Sequence, residues 1–235
     1  MLMVAERMVQ IQERISRACQ RSGRPSDAVR IVAVTKTLAA PVINEAIEAG
    51  LLAIGENRVQ EYLGKRIALH PHEFHLIGHL QRNKVKAILP YCHWIHSIDS
   101  FALCEEIQKQ ARAQDRAVQV LIEVNVSGES SKSGVRPGDA SALARLAAGL
   151  PMLRVRGLMT VAEYADDPEH ARGSFRLLRE TLDAVRAVLP NGECDQLSMG
   201  MTNDFEVAVE EGATMVRLGT AIFGQRSGHQ QTDTA

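Results

Sequence analysis

Lys36 closes a nearly continuous apolar run, VRIVAVTK at 29–36, and is one of six lysines in a chain with 21 arginines. At the mouth end of a strand buried on both faces, a lysine's charged form loses hydration, which leaves part of it as neutral amine. Such an amine can attack an aldehyde and form a Schiff base. The other role open to it is a strand-end lysine that reaches solvent. Two small-residue turns, Ser198-Met199-Gly200 and Gly219-Thr220, combine hydroxyls with backbone N–H groups and lead toward helical segments. That combination receives a phosphate, although Gly and Ser also make ordinary tight turns. Together, a Schiff-base lysine and a phosphate cradle fit either pyridoxal 5′-phosphate (PLP) or a phosphorylated sugar, as in a lysine-dependent aldolase. Arg217 bears on that choice. It lies two residues before Gly219, so on a strand it shares that residue's face. Beside a pyridine nitrogen, its permanent charge would keep the nitrogen unprotonated and weaken the ring as an electron sink. Its competing partner is Glu210 or Glu211.

These residues need a scaffold that gathers strand ends. Apolar runs and helical patterns alternate along the whole chain. Strands are expected at 29–34, 51–54, 74–77, 94–98, 118–126, 155–159, 196–199 and 215–218. Helical spacing fills the intervals, for example at 101–113 and around Phe175, Leu178, Leu182 and Val185. An extra helix, carrying Met8, Ile11 and Ile15, precedes the first strand. Eight strand–helix units in 235 residues predict an α/β fold, a single (β/α)8 TIM barrel with an added N-terminal helix. A doubly wound open sheet fits less well, because no Gly-rich phosphate turn follows the first strand. In a barrel the site lies at the C-terminal strand ends. These carry Lys36, Asn57, His79, Asp99, Asn125, Thr160, the 198–202 loop and Gly219-Thr220.

Composition excludes several classes. A net charge of −1 and nine aromatics among 235 residues argue against nucleic-acid binding. No apolar run approaches a membrane span, and Glu6 and Arg7 occupy the place of a signal peptide's apolar stretch. Cys19, Cys92, Cys104 and Cys194 form no C-x-x-C pair and read as free thiols of a cytoplasmic protein. The histidines at 70, 72, 75 and 79 lack a metal-ligand pattern, and no metal is expected. His93 and His96, flanking Trp94, read as packing residues. Residues 1–226 are expected to form the barrel and 227–235 a disordered tail.

The same blocks carry a family resemblance: AVTK (33–36), GENRVQE (55–61), HLIGHLQRNK (75–84), HSID (96–99), VNVSGESSKSG (124–134), RGLM (156–159), LSMGMTND (197–204) and MVRLGTAIFGQR (215–226). From 31 to 225 the chain resembles the YggS/PROSC family of pyridoxal phosphate homeostasis proteins. The resemblance implies a barrel like the N-terminal domain of alanine racemase, without that enzyme's C-terminal β-domain. It also implies PLP held as a Schiff base on Lys36. Asn57 then lines the pocket, and Ser198, Gly219 and Thr220 hold the phosphate. Arg217 faces the pyridine nitrogen, with further contacts from Met199 and Gly200. Racemases of this type take a catalytic tyrosine from the missing domain, and none of Tyr62, Tyr91 and Tyr164 is expected beside Lys36. The implied protein is therefore a non-enzymatic, monomeric PLP carrier that contributes to vitamin B6 and amino-acid homeostasis. Its expected partners are PLP and apo PLP-dependent enzymes as acceptors. The alternative is a slow PLP-dependent enzyme such as an amino-acid racemase.

Overall fold

Runs of Val, Ile, Leu and Ala with no polar face are stable as strands only when both faces are covered. The computed structural model, which describes residues 3–129, 132–189 and 194–225, covers them by closing the sheet on itself. Helix α1 (Val4–Arg21) leads into β1 (Arg30–Val34), α2 (Ala40–Glu48), β2 (Ala53–Glu56), α3 (Val59–Lys65), β3 (Glu73–Leu76), α4 (Val85–Ile88) and β4 (Trp94–Ile98). The second half runs α5 (Phe101–Ala113), β5 (Val118–Glu123), α6 (Ala140–Ala148), β6 (Leu153–Met159), α7 (Arg172–Arg186), β7 (Gln196–Ser198), α8 (Phe205–Glu210), β8 (Met215–Leu218) and α9 (Thr220–Phe223). All eight strands pair in parallel, in chain order, and β8 closes on β1. This is the expected (β/α)8 barrel. The expected tail, 227–235, lies outside the described residues.

Alternation along the strands divides the core in two. Val32, Ala53, Trp94, Leu121, Met159 and Met215, with Ile77, fill the barrel interior. Ile15, Phe74, Phe175 and Phe205 belong to the larger layer between strands and helices. Helix α1 packs on α8 and α9 beside the seam where the barrel closes. Arg24 there donates to the carbonyls of Val209 (2.6 Å) and Ala213 (2.8 Å), and Arg14 lies 4.5 Å over the Phe205 ring. The four cysteines are free and buried. No helix among the described residues is long and apolar enough to cross a membrane.

Several boundaries differ from expectation. Strand β2 starts two residues late and ends at Glu56, because that carboxylate is buried beside Lys65 and Thr35 and so continues the strand. The helices expected over 58–69 and 81–89 are each divided between a short α-helix and a 3₁₀ turn. Strand β5 stops at Glu123; the Val124 N–H still bonds the Met159 carbonyl, and Asn125 then turns to donate to the Val135 carbonyl.

Candidate functional site

Continuing each strand's inward row toward its C-terminal end assembles the mouth. Two residues beyond the interior Trp94, Leu121 and Met215 come His96, Glu123 and Arg217. His75 precedes Ile77 on the same row. Row parity also carries Val32 and Val34 on to Lys36, and Ala53 and Gly55 on to Asn57. Lys36 and Asn57 thus arrive on adjacent strands, since β1 pairs with β2.

Lys36 is exposed, the second of the two placements open to it, because it stands two residues beyond the end of β1. Among the described residues its amine has no hydrogen bond or ion pair. The loop beneath it, in contrast, is held tightly. Glu56 is fully buried, accepts from the Thr35 hydroxyl and lies 2.6 Å from the Lys65 ammonium. Lys65 also donates to the carbonyls of Thr35 (2.8 Å) and Leu38 (3.3 Å) and lies 3.1 Å from Glu61. Glu61 in turn accepts from the backbone N–H of Thr37. Thr37 has φ 64°, a left-handed backbone that is costly for a β-branched residue and persists only under such restraint. Burial raises the Glu56 carboxyl, and hydrogen bonds from Lys65 and Thr35 draw it back down. Sequence reasoning missed Lys65. It lies on a different element from Lys36, and the one available signal was a lysine nine residues after the Glu56 of the GEN triplet.

Arg217 is buried in the barrel. It donates from Nη1 to Ser198 Oγ (2.7 Å) and from Nη2 to the Thr160 carbonyl (2.7 Å). Burial brings its guanidinium down to about 10, so it remains a cation at neutral pH. The ion pair considered for it with Glu210 or Glu211 is not formed. Those glutamates pair with Arg21, Arg172, Arg176 and Arg179 on the outer surface. Ser198 is not in the loop. It is the last residue of β7, points inward and bonds both Arg217 and His96 Nδ1 (3.0 Å). Met199 alternates the other way, and its side chain is buried in the outer core. Neither side chain joins a loop cradle as expected.

The cradle that does form links the loops after β7 and β8. Thr202 Oγ1 lies 3.2 Å from Thr220 Oγ1 and accepts from the Ala221 N–H (3.2 Å). Gly219 and Thr220 open α9, whose first N–H groups have no intrahelical acceptor. Gly200 has φ 92°, its carbonyl accepts from Arg217 N (2.9 Å), and a Cβ there would lie 2.6 Å from the Ala208 Cβ. Thr202 is a further residue that the sequence reading did not select, although it sits inside LSMGMTND.

Glu123 completes the mouth. Its Oε2 is buried with no partner among the described residues. Burial, and after it the charge of Asp99, push its carboxyl up to about 7, while Arg217 opposes them. A folded-state pKa above the unfolded value gives stability that is present below about 4.5 and lost as pH rises through 7. Glu123→Gln is therefore expected to melt about 3 °C or more above wild type at pH 8, with the gap closing toward pH 5. Melting curves at both pH values check this. An equal gap at both would mean an ordinary carboxyl.

Residues 8–227 match the family model described as alanine racemase, N-terminal domain. The chain is 46% identical over 223 residues to the pyridoxal phosphate homeostasis protein of Aquifex aeolicus (strain VF5), covering 94% of this chain and 97% of that one. It superposes on the PipY protein of Synechococcus elongatus PCC7942, solved with PLP bound, with a TM-score of 0.82 and 33% identity. That match covers 94% of this chain and all of PipY. Alanine racemase from Corynebacterium glutamicum shares the fold, with a TM-score of 0.70 at 18% identity over 92% of this chain and 61% of that enzyme.

Proposed function

Since the chain belongs to the pyridoxal phosphate homeostasis family, built on the alanine racemase N-terminal fold, we propose that it holds PLP at the barrel mouth and contributes to PLP and amino-acid balance. The observation that carries this reading is the pairing of an unpartnered amine, Lys36, with a buried cation, Arg217, in one barrel mouth. The donor set fits the group. A primary amine, a guanidinium and a Thr/Gly turn at a helix start complement an aldehyde, a pyridine nitrogen and a phosphate. When bound, PLP supplies a reversible aldehyde linkage and a conjugated ring.

Lys36 holds the aldehyde as a Schiff base, and Asn57 lines the pocket beside it. Gly200, Thr202, Gly219 and Thr220 hold the phosphate, with Ser198 beneath them and the Met199 backbone connecting the two. Arg217 donates toward the ring nitrogen without giving up its proton, which disfavours carbanion chemistry. No tyrosine hydroxyl is hydrogen-bonded to Lys36 among the described residues. Tyr62 stacks on Phe74 in the outer core at 3.6 Å, Tyr91 lies under Arg66, and Tyr164 is exposed in the loop after β6. The protein is accordingly a monomeric cytoplasmic carrier, with residues 1–226 as its working unit and apo PLP-dependent enzymes as acceptors. One observation favours a second reading, a weak racemase-type activity: Glu123 is a carboxyl near 7 at the mouth, poised to move a proton.

The test compares absorption spectra of PLP-loaded wild type and Lys36→Ala before and after borohydride. Wild type is expected to show a near-visible band that reduction bleaches while fixing the ligand to the chain. The variant should show neither the band nor fixation. A wild type that stays colourless with added PLP overturns the reading and favours an aldolase-like role. Solvent deuterium at the Cα of alanine would establish the second reading.

A further inference from the structure

Below Arg217 and Ser198 the polar chain continues down the barrel axis. His96 Nε2 lies 2.9 Å from His75 Nδ1, and His75 Nε2 faces Glu73 Oε1 across 3.5 Å with no hydrogen-bond partner among the described residues. Glu73 also accepts from Trp94 Nε1 (2.6 Å) and pairs with Arg30 at the N-terminal end. Both histidines, like Ser198, are fully buried, and His75 stacks on Trp94. The chain's ends determine its direction. A guanidinium can only donate, and an ionised carboxylate can only accept. With one Ser198 lone pair taken by Arg217, the hydroxyl proton must go to His96 Nδ1. His96 then carries its proton on Nε2 and donates to His75 Nδ1. His75 in turn carries its proton on Nε2, facing the Glu73 carboxylate across 3.5 Å. The reverse arrangement strands the Ser198 proton and sets a bare ring nitrogen against a carboxylate. The charged groups facing the two rings are Arg217 above and Glu73 and Arg30 below, with His93 to the side. Burial holds both imidazoles neutral, and the neighbouring His75 and Arg30 hold Glu73 down at about 2.

We propose that Ser198, His96 and His75 form a one-way hydrogen-bond relay, oriented by the Glu73 carboxylate at its far end, that holds the Arg217 guanidinium as a fixed donor at the mouth. The two histidines are positioning residues. The relay is a property of the ligand-free chain, and its consequence for PLP rests on the proposed function.

Nitrogen-15 histidine NMR of the ligand-free protein reads the relay directly. His75 and His96 are expected as neutral Nε2–H tautomers that do not titrate between pH 6 and 8. An Nδ1–H tautomer or protonation of either ring in that range overturns the relay. PLP retention and the pH dependence of the near-visible band then test positioning in two variants. His96→Leu removes the acceptor for Ser198 and is expected to weaken retention about tenfold and to move the band's pH profile. His96→Asn places an amide oxygen where Nδ1 was and should remain within about threefold of wild type. Wild-type retention and profile in His96→Leu, or equal loss in both variants, overturns the positioning role. Failure of the wild type to take up PLP removes the proposed function and leaves the tautomer result standing.

Discussion

Lys65→Met is expected to lower the free energy of unfolding by about 3–5 kcal/mol, a fall in Tm of roughly 10 °C. Among the described residues the ammonium is the one cation within reach of the fully buried Glu56, and it also takes the carbonyls of Thr35 and Leu38. Removing it leaves an ionised carboxylate with little besides the Thr35 hydroxyl and leaves two carbonyls short of a donor. Glu56 then rises further above its unfolded pKa. The penalty is therefore largest at high pH and shrinks as pH falls toward 5. Urea titrations at pH 8 and pH 5 measure it, and Glu56→Gln combined with Lys65→Met should recover part of the loss. A loss below about 1 kcal/mol at pH 8 would show that water replaces the ammonium. Thr37 would relax from its left-handed backbone at the same time, so Lys36 should bind PLP more slowly even where the variant is folded.

Gly157→Ala is expected to prevent folding altogether, a loss above roughly 4 kcal/mol. Gly157 faces Gln196 across the β6–β7 pairing, and a Cβ there would lie 1.8 Å from the Gln196 carbonyl oxygen. Backbone cannot rotate away as a side chain can, so the strands must separate at a seam that only three residue pairs hold. Opening one seam of a closed barrel exposes two strand edges at once. Gly173→Ala is the control. It lies in the first turn of α7, where an added Cβ meets nothing within 4 Å, and it should be neutral or slightly stabilising. Soluble yield and near-ultraviolet circular dichroism distinguish the two. A soluble Gly157→Ala with wild-type melting would mean that the strands can shift at no cost.

The barrel was legible because parallel strands covered on both faces must be apolar throughout, and β4, α5 and β8 appear at the expected residues. Glu56 shows where that rule breaks. The strand is expected to end at Ile54 with Glu56 beyond it, yet its partner on α3 makes Glu56 an interior residue. Lys36, Asn57, Arg217, Gly219 and Thr220 could be placed at the mouth from strand ends alone. The direction of the Ser198 hydroxyl could not, because three strand residues are too few to display the inward parity that turns it toward Arg217 and His96. The histidines were harder still. His75 and His96 lie 21 residues apart, and only strand order combined with inward parity makes them neighbours.

The placement of the cysteines makes the protein a recorder of its own breathing. Cys19, Cys92, Cys104 and Cys194 lie in α1, before β4, in α5 and before β7. Burial pushes Cys92 and Cys104 up to about 12 and Cys194 to about 11, which leaves almost no thiolate in the closed state. An alkylating probe therefore reacts only with molecules whose nearby shell has opened. Its four separate rates divide the circumference into sectors and report which sector opens alone and which opens only when the whole ring does.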